Sequence, residues 1–301
     1  MSNRTVTVLK ANIIRNLRID WKYKLNFITD LAWLAVDVIT FLFLGQMVAS
    51  SDIDGFLYEG FLKEFLVVGV IYWVIFTRAY KDGVTVIPNE AQRGALGFII
   101  TNEVSISDLI TGQFSSSTIK TVVTLVVFVL PIVFLLSSIP IGGETILQPL
   151  IITPEILLYS VLILIISWIF MLGVTIIAST LNVIFKKSGP LAFLFSYIIT
   201  MTSGYFFPLE VLRTLGLSSL NQLLYSIPYG FGSLEELLYF IPTTGMLYSL
   251  RSMFIRGIIP TNIFFVIIFN GIISLFVLGG AIMIMKQITR KAAYSGTLEF
   301  Y

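Results

Sequence analysis

The segment from residue 156 to residue 185 decides the fold class, and it reads ILLYSVLILIISWIFMLGVTIIASTLNVIF. It contains no Asp, Glu, Lys or Arg, and it exceeds the roughly 20 apolar residues that a helix needs to cross the hydrocarbon core of a bilayer. Backbone polar groups in lipid must be hydrogen bonded within the segment, so such a run is expected to be helical. We therefore predict a transmembrane helix, long enough to tilt or to extend beyond the membrane.

The composition extends this conclusion to the whole chain. Of its 301 residues, 56% are hydrophobic and only 12% are charged, and the mean hydropathy is +0.93. An ordinary globular domain carries about 25% charged residues, so this chain has too few charges to cover a water-facing surface. These values exclude disordered proteins, small disulfide-rich secreted proteins and soluble enzymes.

Cys and His are both absent from the sequence. Their absence excludes disulfides, Cys/His zinc sites, haem with a histidine ligand and catalytic triads that use histidine. The formal net charge of +2 is too balanced to indicate binding to nucleic acid. We therefore expect neither a metal site nor a cofactor bound by this chain.

Six apolar segments are predicted to span the membrane in an all-α fold that forms a single transmembrane domain, residues 1–301. They cover residues 25–48, 61–80, 121–139, 156–185, 191–207 and 262–285. The segment 204–257 is apolar but broken by Pro and Gly, and irregular backbone at membrane depth is tolerated only where it is buried or lines a cavity. We predict re-entrant short helices there, forming an outer gate.

The distribution of basic residues predicts the orientation. Six Lys and Arg precede the first span, four lie between the second and third, two follow the fourth and three follow the sixth, which places 15 of the 19 on one side. Cytoplasmic loops are the ones enriched in Lys and Arg. We therefore expect a multi-pass protein of the plasma membrane with both termini in the cytoplasm.

The N-terminal residues 1–24 have the pattern of an amphipathic helix. Leu9, Ile13, Leu17 and Trp21 recur every four residues, and Lys and Arg occupy other positions of the turn. Such a basic amphipathic helix suits the headgroup plane of a membrane. The alternative is that the basic residues act only as a topology signal.

The segment 81–117 is predicted to be a cytoplasmic loop with two short helices. We expect Pro88 to open the first of them, because proline is favoured in the first turn of a helix. Glu90 and Arg93 would give that helix a charged start before the apolar pair Ile99–Ile100. A polar turn then leads to a second short helix that continues into the third span.

These residues resemble the ABC-2 type exporter permeases. The resemblance is based on Glu90, the run Arg-Gly-Ala-Leu at 93–96, a hydrophobic pair with Thr101, and the run SISDLITGQ at 105–113. Ser-Gly, an aromatic pair and Pro at 203–208 resemble the element at the outer end of the family's fifth span. Pro242, the run YSLR at 248–251 and Gly257 are similar to its later element. Ala95 and Gly97 depart from the usual threonine and acidic residue.

The resemblance implies a permease subunit that hydrolyses no ATP itself. No G-x-x-x-x-G-K-[ST] phosphate-binding loop occurs in the sequence, so ATP and Mg²⁺ would bind to a partner ABC ATPase. The ATPase would dock on residues 81–117 and on the amphipathic N-terminus, and a second permease, a copy or a paralogue, would complete the complex. The coupling candidates are Glu90, Arg93, Gly94 and Leu96, and the outer-gate candidates are Gly204, Phe206, Phe207 and Pro208. The alternative for Glu90 and Arg93 is a solvated, self-paired helix end.

Two carboxylates lie within the first predicted span, at Asp30 and Asp37. Charges inside a membrane are costly, so we take both as candidates for a transport path or a cation site. Seven residues apart, they lie on one face of a helix. The alternative is a carboxylate that is hydrogen bonded to a neighbouring helix.

Two other functional classes stay open. An ion-coupled secondary transporter or channel-like protein could use Asp30 and Asp37, although no internal repeat is detected. An intramembrane enzyme would need an aspartyl pair, and two acids on one helix cannot face each other across a scissile bond. The cargo of an exporter is not indicated by any motif.

Overall fold

The computed structural model describes residues 3–23, 61–102, 104–138, 140–141, 144–145, 150–185, 189–205 and 238–294, together with isolated residues between 25 and 41. This part of the chain is helical, apart from a minimal ladder of two strands. The described residues within 25–41 are helical as well. The prediction of a helical membrane protein is confirmed at this level.

The elements follow one another in a simple order. The helices are α1 (Asn3–Lys22), α2 (Leu62–Gln92), α3 (Leu96–Thr101), α4 (Ile106–Thr124), α5 (Leu130–Ser138), α6 (Pro154–Phe185), α7 (Gly189–Thr202), α8 (Pro242–Arg256) and α9 (Ile263–Tyr294). A π-helical turn, Leu125–Val129, joins α4 to α5. Strands β1 (Pro140–Ile141) and β2 (Glu144–Thr145) pair antiparallel.

Among the described residues, three helices are long and apolar enough to cross a membrane by length and composition. They are Ile106–Leu135, which combines α4 with most of α5, Pro154–Phe185 and Ile263–Lys291. Helix α2 is long but carries Lys63 and Glu64 near its start and Arg78, Lys81 and Asp82 in its second half. Helix α7 is apolar but short, with 14 residues. These three helices indicate a membrane protein.

Helices α2, α6 and α9 run in the same direction. The Tyr72 hydroxyl donates to Ser167 Oγ at 2.5 Å, and Asn182 Nδ2 donates to the Val84 carbonyl at 2.8 Å, so positions advance together along α2 and α6. Positions also advance together along α6 and α9. The rings of Tyr159 and Phe264 lie 5.8 Å apart, and further along both helices Thr180 Oγ1 donates to Met285 Sδ. We call the end where these helices begin the outer end, after the predicted orientation, and the opposite end the inner end.

The chain must return from the inner to the outer end between α6 and α9, because both helices start at the outer end. Helix α7 runs in the required direction. Trp73 Nε1 donates to Thr200 Oγ1 at 3.1 Å. Just beyond the end of α7, the Tyr205 carbonyl accepts a hydrogen bond from the Arg251 guanidinium, which also donates to the Phe65 carbonyl. Since residues 200 to 205 pass positions 73 to 65 of α2, α7 is antiparallel to α2.

Small and hydroxyl residues let these helices approach closely, as is common between membrane helices. A Cβ atom built on Gly173 would lie 3.0 Å from backbone atoms of Leu278. Ser179 Oγ donates to the Gly83 carbonyl at 3.3 Å, and a Cβ atom on Gly83 would overlap Thr175. The small residues therefore allow close approach of these helices, down to the backbone at Gly173 and Leu278.

The span boundaries are corrected in two places. The third span was predicted at 121–139, but its helix begins at Ile106, so most of the predicted loop 81–117 is helical. Pro88 does not open a helix; it lies inside the last turns of α2. The sequence misled here because SISDLITGQFSSST contains many hydroxyl residues, yet several of these hydroxyls bond to carbonyls of their own helix, as Thr111 does to Ser107.

The other described segments begin close to the predicted positions, but α2 continues to Gln92 and α9 to Tyr294, beyond the predicted ends at 80 and 285. The fourth and sixth segments form α6 and α9, and the fifth forms α7. Pro242, expected to interrupt the outer segment, occupies the first turn of α8. The first predicted span falls largely outside the described residues. Residues 206–237 lie wholly outside them, so the re-entrant helices there stay a prediction.

Candidate functional site

The coupling candidates lie at the inner end, where α2 ends and α3 begins. Gly94 has a φ of +68°, a left-handed conformation that glycine adopts without strain. The Gly94 N–H donates to the Ala91 carbonyl and the Ala95 N–H to the Glu90 carbonyl, which is the Schellman arrangement at a helix end. Gly94 therefore turns the chain from α2 into α3.

Glu90 is buried, with only 4% of its surface exposed. Its Oε1 lies 3.0 Å from Arg15 Nη2 of α1 and 3.7 Å from Arg93 Nη1. The alternative of a solvated, self-paired helix end is therefore wrong for Glu90, because the shorter of its two ion pairs is with another helix. It does describe Arg93, whose side chain is 64% exposed.

Helix α1 is attached to the inner end of the bundle by polar contacts as well. Asn16 Nδ2 donates to Ser116 Oγ of α4 at 3.4 Å, and a Cβ atom on Gly112 would lie 2.8 Å from the Cβ atom of Asn12. Asn16 is buried, whereas Ile14 and Ile19 on the same helix are exposed. The predicted amphipathic helix is thus present, and one of its faces packs on the protein.

The short helix α3 presents an apolar residue outward. Leu96 is buried at 3% exposure, while Phe98 is 73% exposed. Leu96 therefore anchors α3, and the exposed parts of this junction are Arg93, Gly94, Gly97 and Phe98. We call these four residues the inner tip.

A charged cavity of about 310 Å³ lies in the inner half, between the first span, α2 and α4. Its charged residues are Asp37, Arg78, Lys81, Asp82 and Lys120. Trp33, Trp73 and the hydroxyl residues Thr77, Ser117 and Thr121 complete its polar and aromatic lining. We call it the inner cavity.

Two of the acidic groups in the inner cavity have identified neighbours. Ser117 Oγ donates to Asp82 Oδ2 at 2.6 Å, which links α4 to α2. Arg78 and Lys81 attract the carboxylate of Asp37 electrostatically. Asp37 thus faces basic residues of α2, while Asp30 lies outside the described residues.

The outer end is organised by a buried arginine. Arg251 of α8 is 4% exposed, and it donates to the carbonyls of Gly204 and Tyr205 at 2.7 Å each and to that of Phe65 at 3.2 Å. Its guanidinium also stacks on the Phe65 ring, 3.4 Å from the centroid. Arg251 therefore ties α2, α8 and the end of α7 together.

Gly204, an outer-gate candidate, has a φ of +65° and ends α7, so the predicted break at this position is confirmed. Phe206, Phe207 and Pro208 lie outside the described residues. A second cavity of about 240 Å³ lies at the outer end between α8 and α9, lined mainly by aromatic residues such as Tyr239, Tyr248 and Phe269.

Sequence reasoning missed three parts of these sites. It assigned Arg15 only to a topology signal, Arg251 only to a motif, and the basic residues of α2 and α4 only to loop charge. Asn12 and Asn16, polar residues on the apolar side of α1, were the available signal for a protein contact. Nothing in the sequence alone indicated that Arg251 is buried.

Comparison of the chain with known protein families and with curated proteins finds no match. The resemblance to ABC-2 permeases therefore rests on the sequence elements quoted above.

Proposed function

We propose that this chain is the membrane-spanning permease subunit of an ATP-driven exporter of the ABC-2 type. One observation carries the proposal: buried Glu90 ties the end of α2 to α1, and the adjoining inner tip presents exposed Arg93 and Phe98. A rigid junction with an exposed charged and apolar tip is suited to receive a push from a soluble partner. Movement of packed helices as rigid bodies would then alter access to the inner cavity.

The division of roles among the four coupling candidates follows from burial. Glu90 and Leu96 are buried and hold the junction, so they would not contact a partner directly. Arg93, Gly94 and the neighbouring Phe98 are exposed and would form the contact with the ATPase. ATP and Mg²⁺ would bind to the ATPase alone, and a second permease, a copy or a paralogue, would complete the complex.

The directions of the helices support six spans. Parallel α6 and α9 require a crossing between them, which α7 would provide, and α2 would cross ahead of α4. With the first predicted span this gives six crossings and both termini on the cytoplasmic side of the plasma membrane. The segment between α7 and α9 would form the outer gate. Arg251 of α8 would hold the beginning of this segment through its hydrogen bonds to the Gly204 and Tyr205 carbonyls.

Co-expression with a phosphate-loop ATPase encoded beside the gene for this chain tests the proposal. We expect the two proteins to purify as a complex from membranes in mild detergent, and the complex to hydrolyse ATP faster than the ATPase alone. An ATPase that neither binds the chain nor responds to it would contradict the proposal.

The ion-coupled alternative has one observation in its favour, the position of Asp37 in the inner cavity. An ionophore that collapses the ion gradients distinguishes the two functions. An ATP-driven exporter is expected to keep transport under this treatment, and an ion-coupled transporter is expected to lose it. Intact export by the Asp37→Asn variant would also show that the Asp37 carboxylate is not needed in the transport path.

A further inference from the structure

The inner cavity contains more positive than negative charge. Its described lining includes three basic side chains, Arg78, Lys81 and Lys120, and two carboxylates, Asp37 and Asp82. One carboxylate, Asp82, already accepts a hydrogen bond from Ser117. The surplus of one positive charge matches a ligand group that carries a single negative charge.

An exposed tryptophan at this cavity favours contact with lipid headgroups. Trp is enriched at membrane–water interfaces, where its ring is in the apolar layer and its N–H reaches polar groups. Trp33 lines the cavity beside its charged residues and is 62% exposed, whereas the Trp73 N–H is bonded to Thr200. A cavity with an exposed tryptophan in its lining is accessible to the headgroups of the surrounding lipid.

Exposed apolar residues occur on the same segments as the cavity lining. Val36 and Ile39 lie within two residues of Asp37 along the first predicted span, and Val122 and Val123 follow Lys120 and Thr121 on α4. We call these four residues the apolar borders, since they belong to the surface that the two segments present to acyl chains. A polar cavity on segments with such a surface favours a lipid over a free ion.

We infer that the inner cavity binds the phosphodiester headgroup of an anionic phospholipid. The phosphodiester carries one negative charge, and guanidinium and ammonium groups donate strong, charge-assisted hydrogen bonds to its oxygens. Arg78 and Lys120 approach the cavity from two different helices, α2 and α4, so a headgroup held between them would bridge these helices. Basic pockets between transmembrane helices on the cytoplasmic side are suited to such headgroups.

The inference rests on the membrane placement in the proposed function and not on ATPase docking. The full chain is purified alone in a neutral detergent and titrated with dioctanoyl-phosphatidylglycerol, with dioctanoylglycerol as the phosphate-free control, and bound lipid is counted by native mass spectrometry. We expect phosphatidylglycerol to bind at least about tenfold more tightly than dioctanoylglycerol. Equal binding of the two lipids would overturn the inference.

Variants of the lining test which residues hold the phosphate. Arg78→Gln and Lys120→Gln are each expected to weaken phosphatidylglycerol binding by about tenfold, because each removes a charged donor. Arg78→Lys retains the charge and is expected to recover most of the affinity. Lys291→Gln, exposed at the end of α9, is the matched control and is expected to bind like the wild type. Unchanged binding in both Gln variants would contradict the assignment.

Thermal unfolding and headgroup competition complete the test. The unfolding temperature of each variant is compared with that of the wild type, and recovery by Arg78→Lys shows that loss of binding does not come from misfolding. Glycerophosphoglycerol, the soluble headgroup, is expected to compete only weakly, since it lacks the acyl chains that the apolar borders would contact. Competition as strong as that of the lipid would overturn the assignment to a phospholipid. A chain that binds the lipid but does not associate with an ATPase would support this inference while contradicting the proposed function.

Discussion

The guanidinium of Arg15 lies 3.0 Å from the carboxylate of Glu90, although 75 residues separate the two in sequence. Glu90 is buried and the Arg15 side chain is 41% exposed, so the pair lies at the edge of the contact between α1 and α2. A carboxylate in this position needs a partner, since an unpaired buried charge is costly. The N-terminal helix is therefore part of the junction that bears the inner tip.

Arg15→Gln is expected to destabilise the protein by about 1–2 kcal/mol, because a charge-assisted hydrogen bond is lost and Glu90 retains only the longer contact to Arg93. The partial exposure of Arg15 keeps the loss moderate. Thermal unfolding of the purified chain measures it. Arg18→Gln, an exposed position on the same helix, is the control and is expected to change little. A double-mutant cycle with Glu90→Gln should give a coupling of about 1 kcal/mol, and additivity of the two changes would disprove the pairing.

Gly69→Ala is expected to destabilise the protein by about 1–3 kcal/mol, because a Cβ atom there would overlap the guanidinium of Arg251 and the carbonyl of Tyr205. The matched control is Gly279→Ala on α9, where a Cβ atom meets nothing within 4 Å among the described residues. Alanine has a higher helix propensity, so the control should be neutral or stabilising. Equal unfolding temperatures for both variants would rule out the close approach of α2 to Tyr205.

Arg251→Lys is expected to cost about 2–3 kcal/mol, since lysine cannot reproduce the planar group that bonds the Phe65, Gly204 and Tyr205 carbonyls together. Arg256→Lys on the exposed end of the same helix should cost less than about 0.5 kcal/mol. Protease resistance and thermal unfolding both report the difference. Arg251→Lys with the stability of the wild type would show that the guanidinium does not hold the outer end.

The number of crossings can be tested directly, because the chain contains no cysteine and needs no background removal. Cysteines introduced singly at Thr101 and Ile258, both exposed, are labelled with a membrane-impermeant maleimide in intact cells and in opened membranes. Six spans predict opposite sides, with Ile258→Cys labelled in intact cells and Thr101→Cys only in opened membranes. Labelling of both from the same side would mean that α7 does not cross.

Hydropathy alone was sufficient to predict the long apolar helices. The segments at 156–185 and 262–285 became α6, with nearly the expected bounds, and α9, which continues beyond residue 285 to Tyr294, because uncharged runs of this length have few alternatives to helix. The start of α4 was missed since its hydroxyl residues look like a loop. In the helix several of them bond to carbonyls four residues earlier, as Ser115 does to Thr111, and Ser117 bonds to Asp82 of α2.

The sites could be predicted only in part. Glu90 was singled out from its motif, and a break was expected at Gly204, whereas Gly94, expected inside a short helix, forms the left-handed turn that ends α2. The partner of Glu90 could not be identified, because pairing across 75 residues depends on how α1 packs against α2 and α4. The inner cavity could not be predicted from the sequence either, because Asp37, Arg78 and Lys120 belong to three segments whose packing no local pattern specifies.

The most direct measurement is ATP hydrolysis by the complex of this chain with its ATPase, comparing wild type with Arg93→Glu and Phe98→Asp. Both positions are exposed at the inner tip, so the chain should fold and purify normally. Arg290→Glu, an exposed charge reversal near the end of α9, is the matched control. We predict that the stimulation of hydrolysis by the permease falls at least about fivefold in the two tip variants and is retained in the control. Full stimulation by both tip variants would contradict the claim that the inner tip couples the permease to ATP hydrolysis.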